Sequence, residues 1–225
     1  MSYYKFTGEI IVNDYGITLH QIIATKDLPC GVKSNTIGGY IEKESNLFGD
    51  AWVFGNAQVY GDARVYGDAR VYGDAQVFGN AQVYGNARVF GDAKVYDDAQ
   101  VYGDAQVFGN AQVFGDAKVS GNAQVSGNAR VSDDAQVFGN ARVYDDAHID
   151  SISAILLITL ASFYTITITR KYIFCGCQKI KRTEIKKMTK KKAIKLGMPE
   201  HLYQPFLIMV KQAMKIVKSK PEERE

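Results

Sequence analysis

Three cysteines and three histidines are all that a chain of 225 residues holds of the side chains that most often build disulfides, metal sites and catalytic bases. An odd number of cysteines, two of them one residue apart in Cys175-Gly176-Cys177, makes no disulfide framework. A reducing compartment follows, and the cytoplasm is the expected location. Residues 1–8 lack the apolar stretch of a signal peptide, so export is not expected. Two thiols cannot complete a tetrahedral zinc site, and no nearby His-Cys pair supplies the rest. Cys175 and Cys177 therefore read as buried small side chains, with a redox pair or a shared metal site as the alternatives. No motif implies a cofactor.

What the chain does contain is one pattern, repeated. From 49 to 150 the sequence Gly-Asp/Asn-Ala-x-Val-aromatic returns every six residues, seventeen times, with no inserted loop. Ala and Val stand two apart, so on an extended backbone they point to one side while x and the aromatic residue point to the other. Gly followed by Asp or Asn is a turn signal. Three of the seventeen glycine positions hold Asp97, Asp133 and Asp145 instead, and Asp is among the residues that best tolerate a left-handed backbone. Each repeat is thus expected to bend at a residue of positive φ.

Strands of about four residues joined by such bends would leave a single meandering sheet with one apolar face uncovered. Coiling covers that face. Three repeats per turn form a triangular prism with Ala and Val inside, its coils stacked at roughly 4.8 Å by parallel pairing. Seventeen repeats make five to six coils, a rod on the order of 27 Å long.

The spacing Ala-x-Val-x-Gly-Asp resembles the hexapeptide repeat of left-handed parallel β-helices, the fold of many acyltransferases and of gamma-class carbonic anhydrases. The resemblance implies a left-handed coil, whereas parallel crossovers in general are right-handed. A shorter stretch adds to it: Leu19-His-Gln-Ile-Ile-Ala-Thr-Lys-Asp-Leu28, then Gly38-Gly39-Tyr40-Ile41-Glu42 and Asn46-Leu47, leading into Gly49-Asp-Ala-Trp-Val53. This is similar to the start of a group of bacterial and phage-encoded hexapeptide-repeat proteins, some labelled as transferases by fold. Phe163-Tyr164 with Cys175-Gly176-Cys177 looks like a strand end in the same group, where a terminal helical segment follows. Gln178 departs from the aromatic expected next, and Lys179-Ile-Lys-Arg182 replaces the usual glycine and acidic residues, which points to a diverged terminal unit.

Outside the prism, the position after Val is aromatic in thirteen repeats. At eighteen residues per coil, Phe54, Tyr72, Phe90 and Phe108 share one face and Tyr60, Phe78, Tyr96 and Phe114 the next; Tyr66, Tyr84 and Tyr102 share the third. These ladders read either as rings shielding one another or as a surface for self-association or a protein partner. The expected partner is a second copy, a trimer being one arrangement, or another protein. Ser120, Ser126 and Ser132 replace the ring on all three faces in a single coil, forming a waist. The position before Val holds eight Gln, five Arg and two Lys, with Trp52 and His148 at its ends, and reads as a solvated polar column. One edge of the prism collects Asp62, Asp97, Asp98, Asp116, Asp133 and Asp134. It serves solubility, cation binding or docking of a basic segment.

Charge divides the chain. Residues 1–48 have a net charge of −1, residues 49–150 of −7 and residues 151–225 of +11. Three units are expected: a β cap over 1–48, the rod over 49–150 and a basic α+β module over 151–225. Residues 151–169 carry no charge, which is the length of a membrane span. Alternation in Tyr164-Thr-Ile-Thr-Ile-Thr169 favours two strands, at 154–160 and 163–169, with a third at Tyr172-Ile-Phe-Cys175. Thr183 is placed to cap a helix ending before Gly197. A second helix carries Leu202, Phe206, Val210, Ala213 and Val217 on one stripe, with Pro205 in its first turn. Lys186, Lys187, Lys190, Lys191, Lys192 and Lys195 form a basic patch, either solvated or facing nucleic acid or another anionic surface.

Acyltransferases of the resembled fold use a histidine base in a groove between rods. Here His148 is the one candidate, since His20 lies in the cap and His201 in the tail. Clustered histidine ligands for a carbonic anhydrase are absent, and no threonine columns suit ice binding. A non-enzymatic scaffold is the expected function, with an acyltransferase-like enzyme and a nucleic-acid-binding tail as alternatives.

Overall fold

A computed structural model describes residues 3–150, 155–160, 164–169, 172–175, 178–195, 200 and 203–216. Among these the chain is mainly β, a parallel solenoid of about six turns with a small antiparallel sheet and two helices after it. Seventeen two-residue strands, β4 (Trp52–Val53) to β20 (His148–Ile149), recur once per repeat. They are shorter than the four residues expected, although hydrogen bonding continues past each strand. Trp52 N donates to Ala69 O and Phe54 N to Val71 O, and the same offset of seventeen residues recurs along the rod. Residues eighteen apart are paired, Arg88 with Gln106 and Val89 with Val107 for example, so three strands make each coil.

The interior is as the repeat dictates. Every repeat alanine and valine is at most 1 % exposed, and they form one continuous core. At the corners, Asp97, Asp133 and Asp145 adopt φ of 58°, 53° and 57°, matching the glycines of the same column. An L-residue pays for that conformation in steric strain, and glycine elsewhere avoids it.

The amino-terminal end is closed by β1 (Tyr4–Val12), β2 (Thr18–Ala24) and β3 (Ile37–Ile41). β1 and β2 pair antiparallel, while β3 pairs in parallel with the Gln58–Val59 strand. The coil therefore starts before the first repeat, and Leu47 adds a single parallel bridge to Val65. Gly38 and Gly39 permit this crossing: a Cβ at Gly39 would stand 2.6 Å from Ala57 O, and one at Gly38 2.7 Å from Val53 O. The cap also overturns one expectation. Trp52 is not in a solvated column but fully buried, because Tyr3 of the cap lies across it, the ring centroids 6.5 Å apart.

At the other end β21 (Ile155–Leu160), β22 (Tyr164–Thr169), β23 (Tyr172–Cys175) and β24 (Gln178–Lys181) form a four-stranded antiparallel sheet. Thr167 Oγ1 accepts the Arg142 amide at 3.2 Å, in the place where a further coil would offer a carbonyl. Tyr172 packs against the rod core. The last coil is thus covered, which explains why Ala147 and Ile149 are buried. Among the described residues no helix is long and apolar enough to cross a membrane.

The expected helix from Thr183 is broken. Residues Arg182–Lys187 form a 3-10 helix, and α1 (Lys190–Lys195) starts afresh after Thr189, whose hydroxyl accepts the Lys192 amide at 3.2 Å. Ile185 and Met188 are both buried in the core that α2 (Tyr203–Ile216) helps to form. On α2, Phe206 and Val210 are buried as expected, together with Tyr203. Leu202 and Val217 lie outside the described residues, as do Cys177 and His201.

Candidate functional site

The three faces of the rod differ in what happens to their ring columns. On each of them consecutive rings are parallel within 4°, with centroids 4.8–5.0 Å apart. One pair departs: Phe54 meets Tyr72 edge-on at 88° and 6.3 Å, where Trp52 of the first coil stands beside Phe54 with its ring centroid 6.4 Å away. Parallel stacking hides the ring faces and turns their edges outward. A sugar or an unstacked base needs an open ring face, so the middle of a ladder offers neither of them a platform.

The Tyr60 face is occupied by the chain itself. Tyr15, at the tip between β1 and β2, packs 6.2 Å from Tyr60 and 6.3 Å from Phe78. Tyr60 is consequently 3 % exposed, and burial pushes its hydroxyl well above the usual tyrosine range. The far end of this ladder is closed too. Arg130 places its guanidinium 5.2 Å from the Phe114 centroid. Tyr66, Tyr84 and Tyr102 on one face, and Tyr72, Phe90 and Phe108 on the other, have no ring or guanidinium from outside their own column against them among the described residues. These rings are half-buried.

His148, the candidate base, is exposed on the last coil, with Nε2 3.4 Å from Ser132 Oγ. Ser132 is buried, 2 % exposed, and its hydroxyl also lies 3.3 Å from an Asp133 carboxylate oxygen. Nucleophilic use of a serine needs a base that receives its proton, whereas here the carboxylate competes for the same proton. Sequence reading did not pair Ser132 with His148. Their offset of sixteen residues, two less than a coil, is the signal that could have done so.

The acidic edge is present but dispersed. Asp62 is held by Lys43 at 2.7 Å, and this hydrogen bond keeps its carboxyl below the usual range. Asp98 accepts the Asn80 amide at 3.0 Å, and Asp97 accepts the Gly115 amide at 3.3 Å. Asp116 and Asp134 follow in the next two coils. Among the described residues no group of three or more His, Cys, Asp or Glu side chains is placed to hold a metal. Of the candidate thiols, Cys175 closes β23.

In the basic patch Lys187, Lys190, Lys191, Lys192 and Lys195 are exposed, and Lys186 belongs to the 3-10 helix. Lys190 pairs with Glu200 at 2.6 Å and Lys192 with Glu184 at 3.7 Å, so part of the charge is balanced within the module.

Five segments, residues 57–73, 63–79, 81–97, 123–137 and 135–149, match the family described as YdcK Beta solenoid repeat. All lie within the rod, and the chain is similar to that family there. A search of curated proteins finds no match to the chain.

Proposed function

We propose that the protein is a non-enzymatic rod that associates with further copies of itself through the Tyr66 and Phe54 faces. The observation that carries this reading is the asymmetry of the faces: one ladder is covered by Tyr15 and closed by Arg130, while the ladders from Tyr66 to Tyr102 and from Tyr72 to Phe108 have no ring or guanidinium from outside their own column against them among the described residues. Rows of ring edges half-buried in their own stack suit a flat protein contact, where aromatic residues are favoured. A free Cys30 among the described residues fits a reducing compartment such as the cytoplasm, and the resemblance of the 19–53 stretch supports a bacterial or phage origin. Sedimentation velocity across a wide concentration range tests the reading. A species heavier than the 24.9 kDa chain is expected, and a monomer at every concentration overturns it.

A second reading rests on the exposed lysines around α1. Contact of this patch with nucleic acid or another polyanion would weaken steeply as salt rises. A mobility shift that is absent, or indifferent to salt, rejects it. The acyltransferase-like alternative finds less support, because His148 stands beside a serine shared with Asp133 on an unlooped stretch of rod. Loss of acyl-carrier binding on His148→Ala would revive it.

A further inference from the structure

The serine waist interrupts three ladders at the same height. Above Ser120 the Tyr66 face resumes with Phe138, two coils beyond Tyr102. Strand spacing puts these ring positions about 9.6 Å apart, twice the rise of one coil. Rings in the unbroken ladders sit 4.8–5.0 Å apart, so the gap is the thickness of one missing ring. Phe138 is 51 % exposed, and no ring stacks on it among the described residues. Tyr102 stacks on Tyr84 from below and turns its other face toward the gap.

The Tyr60 face shows what the space beside a serine rung accepts, although there the ladder ends at Phe114 and Asp150, not a ring, follows Ser132. There Ser132 replaces the ring, and the planar guanidinium of Arg130 fills the space against Phe114 at 5.2 Å. On the Tyr66 face the residue at the position of Arg130 is Lys118. Its ammonium is not planar, and among the described residues it has neither a ring nor a carboxylate as partner. One face therefore fills its own gap, while the other holds an open gap beside an unbalanced cation. Ser120 at the floor leaves a hydroxyl as donor or acceptor.

We infer that the gap between Tyr102 and Phe138, floored by Ser120 and flanked by Lys118, binds one planar aromatic acid. The two rings sandwich the aromatic plane, and the lysine pairs with its acid group. The site lies on the surface of a single rod and does not depend on self-association.

Titration of the full chain with 2-naphthoate, followed by ligand NMR line broadening, tests this. Saturable binding is expected. Ser120→Tyr restores the missing ring and should weaken binding at least tenfold, and Phe138→Ser, which removes one wall at the surface, should do the same. Lys118→Gln should weaken 2-naphthoate several-fold but leave the neutral 2-naphthylmethanol unchanged. Cyclohexanecarboxylate, which has the charge without the plane, should not compete. Absence of saturable binding, unchanged affinity in both the Ser120→Tyr and Phe138→Ser chains, or equal competition by cyclohexanecarboxylate overturns the assignment.

Discussion

Arg130 lies over Phe114, its guanidinium 5.2 Å from the ring centroid, and so stands where the next ring of that ladder would be. A planar cation on an aromatic face is worth about 0.5–1 kcal/mol at a partly exposed site. Arg130→Ala is expected to lower stability by about that amount in denaturant melts. An unchanged midpoint would mean that the contact is incidental.

Tyr60 carries a buried hydroxyl with no hydrogen-bond partner among the described residues. The next rung of the same column is Phe78, so a ring without the hydroxyl already fits the ladder. Tyr60→Phe should stabilise the protein by roughly 1 kcal/mol, the cost of burying an unpaired hydroxyl. Loss of stability in thermal melts would show that the hydroxyl has a partner after all.

Burial also sets the response to alkali. Desolvation raises the hydroxyls of Tyr3 and Tyr60, and pushes that of Tyr4 up to about 12. A raised folded-state value means that the folded chain keeps the proton longer than the unfolded chain does. The contribution is therefore complete below about pH 10, the unfolded tyrosine value, and is lost as pH rises toward 12 and beyond. Melts across this range should show a falling midpoint, with a smaller fall for Tyr60→Phe than for wild type. Equal falls in the two chains would contradict the assignment to Tyr60.

The acidic edge stacks Asp98, Asp116 and Asp134 in consecutive coils. Where Asn stands one coil before Asp its amide donates to the carboxylate, as from Asn80 to Asp98 at 3.0 Å and from Asn86 to Asp104 at 3.0 Å. Asp116→Asn replaces a repulsive neighbour with a donor to Asp134. Its melting temperature should rise at low salt, and the gain should shrink as salt screens the edge. A gain that persists in high salt would point to the turn rather than to charge.

The rod was legible because its physics is local and repeated. Alternation fixed the inward Ala and Val, and Asp97, Asp133 and Asp145 betrayed the left-handed corner by being the residues that replace glycine there. Eighteen-residue bookkeeping placed Phe78 on Tyr60 and Tyr84 on Tyr66, although it could not reveal that the rings lie parallel. Contacts that cross from one unit to another were not legible. Trp52 sits in a column otherwise polar, and only the cap lying over it explains its burial. Tyr15 comes from a hairpin tip far from Tyr60 in sequence. Thr183 stands at a good capping position in the sequence but lies inside the 3-10 helix, and Thr189 is the residue whose hydroxyl caps α1. Arg130 gave no sign that its guanidinium lies against Phe114, since four other arginines share its column.

Comparison of the three faces tests the association most directly, by light-scattering mass of wild type beside single-face variants. Tyr84→Ser breaks the Tyr66 ladder, Phe90→Ser the Phe54 ladder and Phe78→Ser the covered Tyr60 ladder, and the waist shows that serine is accepted in each column. Wild type should exceed 24.9 kDa. The chain carrying both Tyr84→Ser and Phe90→Ser should fall to that mass, while Phe78→Ser should stay assembled. A monomeric wild type, or dissociation by Phe78→Ser with the double variant still assembled, would contradict association through the two uncovered faces.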